Sequence, residues 1–327
     1  MQKHFLSNIE IIDYKCFKNF IAKDFKRINL ISGRNNVGKT AFLESLLINL
    51  YSISPTKMTY AIGEFNLTRD LLEFIDEDKI HNIINEFKLK IENRTFEAKS
   101  NINYSKFRIT NKNGVKNLNF TINKEEININ INDFSFEYNE EEIDNINYLD
   151  KFGTSNNGIK ELFDVIQTKD KEKFLNDLIN KFDSTIENFK IIGDEPQCKI
   201  SNSNEYRKIN EFGDGLKHYI SIICAVFGCE NGQLFIDEID NGIHYSQLEK
   251  LWEIIFTISK EVNCQVFATT HSKEMINAYA KISQKLEDND ISFIELGKNK
   301  DNEVKSITMD YERFQREISS GNEIRGW

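Results

Sequence analysis

The chain is poor in residues that break or bridge structure. Of its 327 residues only Pro55 and Pro196 are proline, so no proline-rich hinge or linker divides it. Its five cysteines, Cys16, Cys198, Cys224, Cys229 and Cys264, form no C-x-x-C pair, which argues against a metal site of that spacing. Free thiols in a chain of this size fit a reducing cytosol, and a cytoplasmic location is expected. Cys224 and Cys229 lie on an apolar helical stretch and are expected in the core. Basic charge is not in excess: 42 Lys and Arg stand against 52 Asp and Glu, for a formal net charge of −10. That balance argues against indiscriminate nucleic-acid binding while leaving room for a local basic groove. No apolar run approaches the ~20 residues of a membrane span, and no membrane partner is expected. The opening residues alternate apolar and polar at Ile9, Ile11 and Tyr14. They predict a first strand and lack the apolar core and cleavage site of a secretory leader. There is no internal repeat and no long heptad run, so no coiled-coil arm is expected.

What is present suffices for a sizeable core, with 39% apolar residues. Residues 1–50 read as strand, turn, strand, loop and helix, and 51–86 are mixed. Over 87–140 the stretches 87–91, 107–109, 118–122 and 127–131 alternate between turn residues, predicting an antiparallel meander. The segment 133–150 carries seven acids and no Lys or Arg, and reads as a solvated loop. Helical spacing returns over 158–190. From 197 onward strands alternate with helices, at 234–236, 247–258, 265–269, 273–280 and 291–296, the rhythm of a mostly parallel sheet. The expected organisation is a single α/β domain over 1–327. Its lobes are 1–86 and 197–327, and 87–196 is an insert of β meander followed by helices.

Gly33-Arg34-Asn35-Asn36-Val37-Gly38-Lys39-Thr40 fits the spacing G-x-x-x-x-G-K-[ST], between an apolar strand at 27–32 and a helical run opening at Ala41. Glycines in such a loop let the backbone approach a phosphate. The amides of Asn35, Asn36, Val37 and Gly38 add to the positive end of the helix that follows. The spacing sets Lys39 on the β- and γ-phosphates of a nucleotide and the Thr40 hydroxyl on Mg²⁺. Gln233-Leu234-Phe235-Ile236-Asp237-Glu238 is an apolar strand ending in two carboxylates. Asp237 at that end can hold Mg²⁺, and Glu238 can orient or deprotonate a water. Between the two, Gly213-Asp214-Gly215 opens another helix, a second anion-binding end. After them come Asp240 to His244 and the strand end Thr269-Thr270-His271-Ser272. The long interval from Lys39 to Asp237 excludes a compact small GTPase.

Phosphate loop, glycine-rich helix start, Asp-Glu strand and Thr-His-Ser, in that order, resemble the ABC-type ATPases. Within them the chain is similar to the soluble branch of RecF, SMC and overcoming-lysogenization-defect (OLD) proteins, and more narrowly to small stand-alone members described as AAA family ATPases. The resemblance implies a P-loop NTPase with an ABC-like head, using ATP and Mg²⁺. It implies that Gly213, Asp214 and Gly215 are the signature that closes over the γ-phosphate held by a partner protomer. His271 would be the switch histidine and Asp240 to His244 the loop signalling across the dimer. The signature departs from the Ser-Gly-Gly type of transporters, and no glutamine loop or adenine contact is evident. His218 and His244 read as packed or solvent-facing.

The expected function is ATP hydrolysis by an oligomer, a dimer or larger, that regulates a separate effector such as a nuclease, in anti-phage defence. The chain ends soon after the ATPase core, so no nuclease domain of its own is expected. A RecF-like DNA-repair ATPase is the alternative, with Lys88, Lys90, Arg94, Lys99, Lys106, Arg108, Lys112 and Lys116 as a DNA-facing set. A transporter nucleotide-binding subunit is the third.

Overall fold

The computed structural model describes residues 4–59, 61–62, 95–112, 115–131, 145–151, 153–201, 203 and 205–321. The strand expected at 87–91, most of the acidic segment 133–150, and Lys88, Lys90, Arg94 and the Lys112 side chain lie outside them.

A six-stranded sheet forms the centre, in the order β15(Val304–Met309), β14(Ile291–Lys298), β3(Ile28–Gly33), β13(Gln265–Thr270), β12(Gln233–Ile236), β8(Ile146–Leu149). Every pairing in it is parallel except β14 with β15. The middle strands are apolar on both faces, as a sheet covered on both sides requires. Leu234, Ile236, Val266, Ala268, Ile291 and Phe293 face one core. Phe235, Phe267, Ile294 and Leu296 face the other.

The first core is closed by α2(Asn156–Thr168), α3(Glu172–Phe182), α4(Asp214–Gly228), α5(Leu248–Glu261), α6(Lys273–Lys285) and α7(Tyr311–Ser319). Cys224 and Cys229 are fully buried there. A small antiparallel sheet of β9(Ile186–Ile192), β10(Glu195–Ile200) and β11(Tyr206–Lys208) packs beside them. The helical reading of 158–190 therefore runs past its end. Ile186 and Phe189, three apart and both buried, mimic helical spacing on a strand.

The second core lies under an antiparallel sheet ordered β2(Phe17–Lys23), β1(Asn8–Tyr14), β4(Phe96–Ser100), β5(Tyr104–Lys112), β6(Val115–Ile122), β7(Glu125–Asn130). The meander expected from alternation is present over the described part of 87–140, and β4 joins it to β1. The segment 87–196 thus supplies strands to every sheet, since β8 pairs with β12. Helix α1(Lys39–Tyr51) is enclosed on all sides, with Phe42, Leu43, Leu46 and Ile48 fully buried. Each such side chain contributes about 1.5–3 kcal/mol of burial, so the loop preceding α1 is held by a rigid body. Among the described residues no helix is long and apolar enough to cross a membrane.

Candidate active site

The site forms where the parallel strands end. Ligands of open α/β sheets collect there because successive strand-to-helix loops converge at that edge. Residues 33–40 connect β3 to α1. Gly33 lies so close to β14 that an added Cβ would stand 2.7 Å from the Leu296 carbonyl oxygen. Gly38 has φ +108°, and a Cβ there would meet the Cys16 Sγ at 2.6 Å. Asn36 turns through φ +61°, a left-handed conformation that asparagine tolerates. The loop is thereby wrapped tightly at the amino end of an enclosed helix.

Lys39 is buried and donates to the carbonyl oxygens of Gly33 at 2.9 Å and Arg34 at 3.2 Å. Burial lowers its ammonium below the usual lysine range, opposed by the charges of Asp237, Glu238 and Asp240. The Thr40 hydroxyl donates to Asp237 Oδ2 at 2.7 Å, and the Thr269 hydroxyl donates to Asp237 Oδ1 at 2.6 Å. Both oxygens of a carboxylate only 7% exposed are thus aimed by hydroxyls. The Asp237 amide donates to the Leu149 carbonyl at 2.9 Å, which ties β12 to the end of β8. Immediately after it, Glu238 takes φ +50° and its amide donates to the Thr269 hydroxyl at 2.8 Å. This turn lifts a half-exposed carboxylate out of the strand line, beside Asp237.

Gly213 (φ +85°) caps α4, and Gly213 and Asp214 are exposed. Gly215 packs backbone to backbone on the loop after Glu238: a Cβ on it would meet the Gly242 carbonyl oxygen at 2.2 Å. Among the described residues no hydrogen bond joins 213–215 to the loop 33–40 of the same chain. His271 is exposed at the carboxyl end of β13, between the strands carrying the phosphate loop and Asp237. His218 is packed, at 1% exposure, and His244 is exposed.

The structure therefore brings Lys39, Thr40, Asp237 and Glu238 together and places His271 on the same edge, while among the described residues no hydrogen bond ties the 213–215 turn to the phosphate loop. Three contributors went unread in the sequence. Thr269 orients Asp237. Thr270 donates to Asp240 Oδ1 at 2.7 Å. The loop after β8 reaches the site through Asn241, which donates to the Lys151 carbonyl at 2.6 Å. Hydroxyls in the Thr-Thr pair before His271 were the available signal for the first two. For the third, a four-residue edge strand gave none.

A threonine hydroxyl with an aspartate carboxylate is a hard-oxygen donor set that fits Mg²⁺. Among the described residues no cluster of His, Cys, Asp and Glu offers another metal site.

A protein-family profile described as "AAA domain, putative AbiEii toxin, Type IV TA system" matches residues 28–277. The protein named ATP/GTP phosphatase of Helicobacter pylori (strain ATCC 700392 / 26695) is 26% identical over 331 residues, covering 83% of this chain and 86% of its own. A crystal structure of an Smc head bound to the C-winged helix domain of ScpA superposes with TM-score 0.55 at 12% identity, over 94% of this chain and 99% of that one. An Smc head domain with an extended coiled coil, bound to the C-terminal domain of ScpA derived from Pyrococcus furiosus, gives 0.52 at 12% identity, over 97% and 99%. At these identities the solved structures share the fold: a P-loop head of ABC type.

Proposed function

The chain belongs to the family of AAA domains described as "putative AbiEii toxin, Type IV TA system", a P-loop ATPase, and from that premise we propose that it hydrolyses ATP as a dimer that controls a separate effector. The observation that carries the dimer is the isolation of the 213–215 turn. Gly213 and Asp214 at the start of α4 are exposed, no hydrogen bond among the described residues joins them to the phosphate loop of their own chain, and a helix start suits the γ-phosphate of a second copy. The whole chain acts as one ATPase unit, with 87–196 an insert in it.

Lys39 and the amides of Asn35 to Thr40 offset phosphate charge, and Gly33 and Gly38 allow the backbone to come close. Thr40 and Asp237 would hold Mg²⁺, which would supply neutralisation of phosphate charge. Glu238 orients the attacking water and takes its proton as the γ-phosphoryl group departs. His271 contacts the γ-phosphate. Gly213, Asp214 and Gly215 of the second copy add donors where negative charge develops, in a site that excludes water. The toxin wording of the family supports a defence role, with an effector such as a nuclease as the partner and the cytoplasm as the place.

A DNA-directed role has less support. Lys106 and Arg108, two of its basic residues, both converge on Glu97, at 3.0 Å and 3.2 Å, and the Tyr104 hydroxyl donates to the same carboxylate. Their charge is spent within the sheet.

The test is the light-scattering mass of Glu238→Gln with and without Mg-ATP. A monomer that becomes a dimer on ATP is the expected result. A mass indifferent to ATP would overturn ATP-driven pairing.

A further inference from the structure

The first turns of α4 press on the loop that carries Glu238. Gly215 meets the Gly242 carbonyl there. His218 follows three positions on, which brings it to the same side of the helix. Its ring is packed at 1% exposure, and Nδ1 lies 3.3 Å from where a Cβ on Gly153, in the loop after β8, would stand. The Ile239 backbone also acts on the ring, in the sense that favours a donated proton. The Ile239 carbonyl can accept one; the amide is already given to the Thr269 carbonyl at 3.0 Å. One imidazole, off the strands themselves, therefore joins α4 to the turn after Glu238 and to the loop after β8.

Packing alone is a poor reason for a histidine at this place. A neutral imidazole carries one N–H and one lone pair. Among the described residues His218 is the one side chain with two buried polar atoms and a hydrogen bond of good geometry at neither. Such atoms lower stability, whereas an apolar side chain of similar size would not. The turn it faces is itself unfavourable. Glu238 holds φ +50°, a conformation that a residue other than glycine keeps only where its surroundings fix it. Local rules broken together in this way gather at functional sites.

We propose that His218 is a positioning residue for the attack of water on the γ-phosphate: its N–H, given to the Ile239 carbonyl, fixes the turn that aims the Glu238 carboxylate. Hydrogen bonds in active sites are often loose until substrate binds and tighten in its complex. The proposal rests on the reading of Glu238 as the residue that orients the water, and it names what orients Glu238.

His218→Leu removes the donor together with both unmet atoms. His218→Asn and His218→Gln each keep an amide N–H, near the places of the two ring nitrogens. Phosphate release at saturating Mg-ATP and calorimetric Mg-ATP affinity would be compared for these variants, wild type and Glu238→Gln, all as the full chain. Melting midpoints would check that each is folded at the assay temperature. His218→Met, more adaptable in a packed site, replaces the leucine variant if that one is not. His218→Leu is expected to lower kcat about 20-fold while leaving ATP affinity within about twofold. Asparagine or glutamine is expected to bring kcat back to within about threefold of wild type. An unchanged kcat in His218→Leu overturns the proposal and leaves the reading of Glu238 intact. So does a loss of kcat matched by an equal loss of ATP affinity, which marks a residue that only packs. Failure of both amides to recover kcat overturns the donor role. A wild-type rate in Glu238→Gln removes the reading of Glu238, and this one with it.

Discussion

At the amino ends of the central strands, Arg27 is 6% exposed and its guanidinium is held by several fixed partners. It donates to the Phe256 carbonyl at 3.2 Å and to the Ser259 hydroxyl, and pairs with Asp288. Beside it Asn29 donates to the Val266 carbonyl at 3.0 Å and accepts from Ser292 at 2.8 Å. At the carboxyl ends of the same strands, Lys39 is equally buried but rests only on two loop carbonyls. Asp237, Glu238 and Asp240 act on it through space. One end neutralises its charges with fixed internal partners. The other holds charges of both signs near each other, with donors and acceptors aimed at common space. Buried polar groups with complete partners contribute a defined structure.

Exchanging the charge at each end breaks or upholds that contrast. Lys39→Ala is expected to lower kcat/KM for ATP by roughly 10³-fold while holding unfolding free energy within about 1 kcal/mol of wild type. Phosphate release and urea denaturation measure the two quantities, and a stability loss as large as that at Arg27 would erase the distinction. Arg27→Met reverses the pattern. Leaving Asp288 without its partner is expected to cost about 3–5 kcal/mol, with KM for ATP unchanged in the folded fraction. A raised KM would tie the amino end to the site.

A smaller effect sharpens the comparison at a group belonging to neither end. Burial pushes the His218 imidazole down to about 4, opposed in part by the Ile239 backbone. In the unfolded chain it returns to about 6.5, so between those values the unfolded state binds more protons and stability falls as pH falls. From pH 7 to pH 5 this group accounts for a loss of about 2 kcal/mol. His218→Leu is expected to flatten the slope of unfolding free energy against pH by that amount. An identical slope in both proteins would mean that His218 is already charged, or already solvated, in the fold.

Much of the carboxyl end was legible in the sequence, because phosphate chemistry needs particular residue types at fixed spacing. Gly33, Gly38, Lys39 and Thr40 sit in eight consecutive positions, and the apolar run into Asp237 marks a buried strand. The rest depended on contacts between distant segments. Thr269 is an ordinary strand residue until its hydroxyl is seen against Asp237. β8 is four residues long with only Leu149 fully buried, so neither its alternation nor its hydropathy announces a strand. The union of β1 with β4 is a matter of register between residues as far apart as Ile9 and Ser100, which periodicity within a strand does not encode. Arg27 gave no sign at all, since its partners come from helix α5 and the loop before β14.

Where Gly215 meets the Gly242 carbonyl, two loops share one van der Waals surface with no side chain between them. Such a joint leaves no room for one loop to shift without the other: the turn after Glu238 and the start of α4 are packed backbone to backbone. In the proposed dimer, that turn would follow the water-activating Glu238 of one copy's site, and the start of α4 would face the other copy's phosphate. The two catalytic events of that dimer would then share a linkage. For the proposed dimer, ATP turnover is therefore expected to depend on ATP concentration more steeply than a single-site curve.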